Sequence, residues 1–158
     1  MTGDFPPVDV VRLSPITVSA GRVIAAPIDQ VYAAWSTAAL FRQWWAPRSM
    51  GMPISACLMD VRNGGTYRLA FGHECADSLA FFGTYHEVVP GVRLVWSNEE
   101  GEGPGAVTTV TFAAQETGTL VTVREDHPEE AACEESLGSL CAMLPEQFAQ
   151  LEALLFTS

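Results

Sequence analysis

Three histidines, four cysteines and a glutamate set among aromatic residues are the positions at which this chain could do chemistry. His73-Glu74-Cys75 places three potential metal ligands in consecutive residues. On a strand, alternation would send the middle one to the opposite face, and the turn-like Ala76-Asp77-Ser78 beside them predicts an exposed loop instead. His86 alternates away from Tyr85 and Glu87, and His127 stands next to Pro128, near Glu125 and Asp126. None of this has the spacing of a zinc site or a catalytic triad, and there is no nucleophile elbow, phosphate loop or dinucleotide fingerprint. No metal, cofactor or catalytic residue is therefore expected. Cys57, Cys75, Cys133 and Cys141 follow no CxxC or CxxH pattern and read as free thiols or small buried apolar groups. Cys133 and Cys141 would share a helix face but stand about 12 Å apart along it, too far for a bond.

The aromatic and sulfur side chains give a stronger chemical signal: Trp35, Trp44, Trp45, Tyr67, Phe71, Phe82, Tyr85, Trp96, Met143 and Phe148. Such groups offer large apolar area with a few polar handles, which suits either a core or an internal site for a flat, greasy molecule. Alternation puts Tyr67, Leu69 and Phe71 on one face of a strand, and Gly83, Tyr85 and Glu87 on one face of another. Glu87 is thus expected inside, where a carboxylate must pair with arginine, tyrosine or water, or take a proton. It reads as a polar anchor for a bound molecule or as a satisfied structural hydrogen bond. Arg68 and Arg93 become its partners only if the faces fall differently. The expected cavity lining is Trp35, Trp44, Tyr67, Leu69, Phe71, Tyr85, Glu87, Trp96, Met143 and Phe148.

The elements that must position these residues follow from periodicity. From Glu134 to Phe156, apolar residues recur at spacings of three and four (Leu137, Leu140, Cys141, Leu144, Phe148, Leu151, Leu154, Leu155), the stripe of one long buried helix. Pro145 interrupts it, predicting a kink or a fresh start after Met143. Met1 to Pro15 holds three prolines and no evident period, so residues 1–15 read as an arm along the surface of a single domain over 16–158. Ile16 to Ala25 alternates as a strand. Two short helices follow, one after Pro27 with Val31, Tyr32 and Trp35 on its apolar side, one after Thr37 with Leu40, Phe41, Trp44 and Trp45. Six strands come next, at about Ile54 to Val61, Thr66 to Phe71, Leu79 to Val88, Arg93 to Ser97, Ala106 to Ala113 and Leu120 to Glu125. The short turns between them imply an antiparallel meander. The class is α+β: a curved antiparallel sheet whose concave face takes the long C-terminal helix.

Charge and composition narrow the partners. The 158 residues are 48% apolar and carry a net charge of −11, enough for one packed domain and repulsive to nucleic acid and anionic lipid alike. No run is long enough to span a bilayer. The first residues carry acidic groups and prolines where a signal peptide needs a basic start, so a cytoplasmic location is expected. The acidic stretches Asn98-Glu99-Glu100-Gly101-Glu102 and Glu125 to Glu135 read as solvated loops that keep the protein soluble. Pairing of exposed strand edges into a homodimer is plausible.

A series of local motifs resembles the START-like, or Bet v 1-like, helix-grip (SRPBCC) superfamily, and within it the activator of Hsp90 ATPase homologue 1-like group. The residues are Ala26-Pro27-x-x-x-Val31-Tyr32-x-Ala34-Trp35, Phe41-x-x-Trp44-Trp45-Ala46-Pro47 and Asp60-Val61-Arg62-x-Gly64-Gly65-x-Tyr67-Arg68, then Phe82-Gly83-x-Tyr85-x-Glu87-Val88-x-Pro90-x-x-x-Leu94-Val95-x-Ser97, and Thr119-x-Val121-Thr122-Val123. The resemblance implies a sheet gripping the last helix, two short helices closing one end, and an internal cavity. The chain departs from the group where Ala142-Met143 stands in place of a usual Gly-Trp pair, which is expected to enlarge or reshape that cavity. The function implied is binding of a small hydrophobic or aromatic molecule between sheet and helix. The alternatives are a polyketide cyclase- or hydrolase-like enzyme using the same cavity, and a co-chaperone-like or stress-response protein-interaction domain.

Overall fold

A computed structural model describes residues 8–51, 53–72, 79–99 and 105–157. The His73-Glu74-Cys75 triplet and part of the first acidic stretch lie outside them. The chain opens with two strands, β1 (Asp9–Ser14) and β2 (Thr17–Ile24), then two short helices, α1 (Ile28–Ser36) and α2 (Ala38–Trp44), and a 3-10 turn at Arg48–Met50. Six strands follow: β3 (Ile54–Met59), β4 (Thr66–Phe71), β5 (Leu79–Val89), β6 (Arg93–Asn98), β7 (Val107–Gln115) and β8 (Gly118–Asp126). The long helix α3 (Glu130–Thr157) ends the chain. All eight strands form one sheet in the order β1-β2-β8-β7-β6-β5-β4-β3, and every neighbouring pair is antiparallel.

The strand β1 corrects the reading of residues 1–15 as an arm without regular structure, and it places the two short helices after the second strand. Val10 pairs with Ala20 and Arg12 with Val18, and Val8 and Val10 pack on the core. Val11 and Leu13, on the outer face, stay more than half exposed. Apolar residues on both faces hid the alternation, since a period-2 pattern is visible only where the two faces differ.

On β2 the inward residues Val18, Ala20 and Ile24 are fully buried, and Arg22 on the same face reaches Glu152 of α3 at 2.7 Å. The second carboxylate oxygen of Glu152 accepts the Ala25 N–H at 2.8 Å. The C-terminal half of α3 thereby lies on β2 and on α2, with Leu144, Phe148 and Leu151 at 1% exposure or less. Pro145 sits inside a continuous helix, so the helix does not restart there. The N–H missing at Pro145 would have served Cys141, and Cys141 is exposed, where water can replace it. The N-terminal half of α3 is less covered: Leu137, Leu140 and Met143 are only half-buried. No helix among the described residues is long and apolar enough to cross a membrane.

Candidate functional site

Between the concave face of the sheet, α2 with the turn after it, and the N-terminal half of α3 lies a cavity of about 490 Å³. Its wall is laid down by alternation. Tyr67, Leu69 and Phe71 of β4, Tyr85 of β5, Trp96 and Asn98 of β6, Thr108 of β7, and Val123 and Glu125 of β8 all occupy inward positions and line it. Ser136, Ser139, Leu140, Met143 and Gln147 line it from α3, at spacings of three and four that make one helix face. Phe41 and Trp45 close the end beneath α2.

The aromatic wall is continuous. Trp35 stands 5.7 Å from Trp45 and 6.2 Å from Trp96 between ring centroids. Trp96 in turn lies 6.4 Å from Tyr67 and 6.3 Å from Tyr85, which are 5.7 Å from each other. These are edge and tilted contacts of the kind aromatic quadrupoles favour. Gly83, opposite Tyr67 on β5, makes room for this: a Cβ there would come 1.7 Å from the Ser97 carbonyl oxygen and 3.0 Å from the Tyr67 ring. The Tyr67 hydroxyl donates to the Ser97 carbonyl at 3.1 Å. Burial pushes the Tyr85 phenol well up, since the phenolate would be desolvated. The Trp35 indole N–H is buried with no hydrogen-bond partner among the described residues.

The cavity is polar where β8 meets the N-terminal half of α3. Ser136 Oγ donates a short hydrogen bond to Glu125 Oε1, and His127 Nε2 lies 3.2 Å from the same oxygen. The Gln147 side chain donates to the Trp45 carbonyl at 2.7 Å. Serine, glutamate and histidine are therefore joined in an order that puts the carboxylate at the centre. An activated serine needs the imidazole against its hydroxyl with the carboxylate behind. This cluster instead holds Glu125 in place.

Seven of the ten residues expected at the cavity lie on its wall: Trp35, Tyr67, Leu69, Phe71, Tyr85, Trp96 and Met143. Three do not. Trp44 is fully buried behind Trp35, 4.7 Å away, and its indole donates to the Ala34 carbonyl at 3.0 Å. Phe148, one turn past Leu144, is fully buried and packs into the core. Glu87 is turned outward. Tyr85 pairs with Trp96 and Glu87 with Val95, so His86 is the extra residue of a bulge that reverses the alternation. Glu87 then meets Arg93 on the outer face at 2.6 Å, and that hydrogen bond holds its carboxyl below the usual range.

The polar wall escaped the sequence reading. Glu125 both ends the strand expected at Leu120 to Glu125 and opens an acidic stretch, and Val121, Val123 and Glu125 continue one alternation, as do Leu94, Trp96 and Asn98. That period was the available signal.

Comparison with known proteins followed the same outline. Residues 25–155 match the family described as activator of Hsp90 ATPase homolog 1-like protein. A crystal structure of a protein from Rhodobacter sphaeroides is similar at a TM-score of 0.85 and 21% identity, over 95% of this chain and 98% of that one. The solution structure of an AHSA1-like protein from Aeromonas hydrophila gives 0.74 and 21%, over 87% and 93%. A crystal structure from Chromobacterium violaceum gives 0.69 and 28%, over 90% and 98%. No curated protein matches the chain. With its eight-stranded grip, its two closing helices and a family match over most of its length, the chain belongs to the activator of Hsp90 ATPase homolog 1-like family of the START-like helix-grip superfamily.

Proposed function

We propose that the protein encloses a small hydrophobic or aromatic molecule between its sheet and its C-terminal helix. The observation that carries this reading is a cavity of about 490 Å³ walled by Trp35, Trp45, Trp96, Tyr67 and Tyr85 that its own side chains leave unfilled. Ligand sites commonly occupy 300–1,000 Å³ and combine apolar walls with a few placed polar groups. Water held against so much aromatic surface is readily displaced by an apolar molecule. The imidazole of His127 lies against Glu125 and not against the Ser136 hydroxyl, so the wall lacks the serine–imidazole contact that an acyl-transferring hydrolase uses.

Native mass spectrometry of the purified protein, followed by organic extraction, tests the proposal. A stoichiometric apolar compound that raises the melting temperature when added back is the expected result. Met143→Trp puts an indole into the cavity and is expected to abolish that binding while the empty protein stays folded. An extract without such a compound, together with no thermal shift from a panel of lipids, polyketides and flavonoids, would overturn it.

A further inference from the structure

Among the described residues, the carboxylates and guanidinium groups on the cavity wall are of one sign. Glu125 and Glu135 line it, while no arginine does, and all eight basic residues of the chain are arginines. In the same row of the sheet as Glu125, past Thr108, the wall is made of rings, Trp96 and then Tyr85. A desolvated aromatic face attracts a cation through its quadrupole, more strongly than it does at an exposed site. A carboxylate and an array of π-faces that share one enclosed space therefore favour the same thing, a positive charge carried on an apolar body.

Glu125 is built to receive that charge. It occupies an inward position of β8, opposite Thr108 of β7 and Val18 of β2, and its side chain is 19% exposed. Ser136 and His127 both bond Oε1. Oε2 has no hydrogen-bond partner among the described residues and is left to accept a donor that enters the cavity. An anionic ligand would meet the carboxylate of Glu125, and that of Glu135 at the exposed rim, with no arginine on the wall to offset them. A neutral ligand would leave Oε2 without a charged partner, the kind of half-satisfied polar group that weakens binding.

We infer that the cavity selects hydrophobic cations, protonated amines or quaternary ammoniums on an aromatic or aliphatic body, with Glu125 Oε2 receiving the charged head and the rings of Trp35, Trp96, Tyr67 and Tyr85 receiving the body. This rests on the proposed binding function and specifies its ligand class.

Isothermal titration of three isosteric probes, naphthylmethylamine, naphthylmethanol and naphthoate, at neutral pH tests it. The amine is expected to bind at least about tenfold more tightly than the alcohol, and the acid most weakly, in line with a cation–π and charge-assisted contribution. Glu125→Gln is expected to bring the amine down to the affinity of the alcohol. Should that variant fail to fold, the three probes on the unaltered protein decide alone. Equal binding of amine and alcohol, or preference for the acid, overturns the cation selectivity and leaves the cavity reading standing. Absence of binding by all three overturns both.

Discussion

Tyr85 carries the clearest consequence of burial at a single side chain. Its ring is 4% exposed, and desolvation raises the phenol above the ordinary tyrosine value of 10.0. The sign of the linkage follows from proton binding. Between the unfolded and folded pKa values the unfolded chain has lost the proton and the folded protein keeps it, so stability falls as pH rises. The stabilising neutral form is thus fully effective below pH 10 and is progressively lost above it. Urea denaturation from pH 8 to pH 11 should show a falling limb for the unaltered protein and a shallower one for Tyr85→Phe, because the phenylalanine has no proton to lose. Identical limbs would mean that Tyr85 reaches solvent more freely than its burial implies. Tyr32 is raised by the same cause and accounts for part of the slope that persists.

The joint between α2 and α3 decides where the closing helices sit, and two glutamines make it. Gln150 Nε2 donates to the carbonyls of Trp44 at 2.8 Å and Ala46 at 3.0 Å, while its Oε1 accepts the Arg48 N–H at 2.9 Å. Gln147 serves the Trp45 carbonyl between them. The last carbonyls of a helix have no partner within it, and here the neighbouring helix supplies the donors. Gln150→Leu keeps much of the volume and strands three backbone groups, at a cost on the order of 3 kcal/mol. Urea denaturation measures it, and a loss under about 0.5 kcal/mol would show that water serves these groups equally well. Such a joint was not legible in the sequence, because the spacing of the leucines does not show which backbone groups a glutamine on the helix will reach. Elements whose two faces differ were legible: the six strands from Ile54 onward, and α3 from its spacing of leucines. Two features lay beyond a periodic reading. In β1 each face mixes apolar with polar residues, and at His86 one inserted residue reverses the pattern, so Glu87 faces Arg93 in place of the cavity.

Taken whole, the molecule is a grip closed firmly at one end only. Leu144, Phe148, Leu151 and Leu155 hold the second half of α3 against the sheet and the short helices at 9% exposure or less. The first half, over the cavity, has Leu137, Leu140 and Met143 half-buried and Cys141 exposed. The order of elements and the family resemblance pointed to a sheet gripping a helix, but how completely the helix is gripped depends on the fit of facing side chains, which no one-dimensional pattern contains. Local opening is easiest where the fewest apolar contacts must be given up. Backbone amides of residues 134–143 should therefore exchange hydrogen faster than those of residues 147–155 in the empty protein. A molecule filling the cavity would complete the apolar surface beneath the first half. At a hundred times its dissociation constant it would add about 2.7 kcal/mol to the folded state. Hydrogen exchange read by mass spectrometry should then show slowing concentrated in residues 134–143 and in the strands that carry Tyr67, Tyr85 and Trp96. Slowing spread evenly over both halves of α3 would mean that ligand stabilises the fold as one unit, and that the helix above the cavity is held as tightly as the rest.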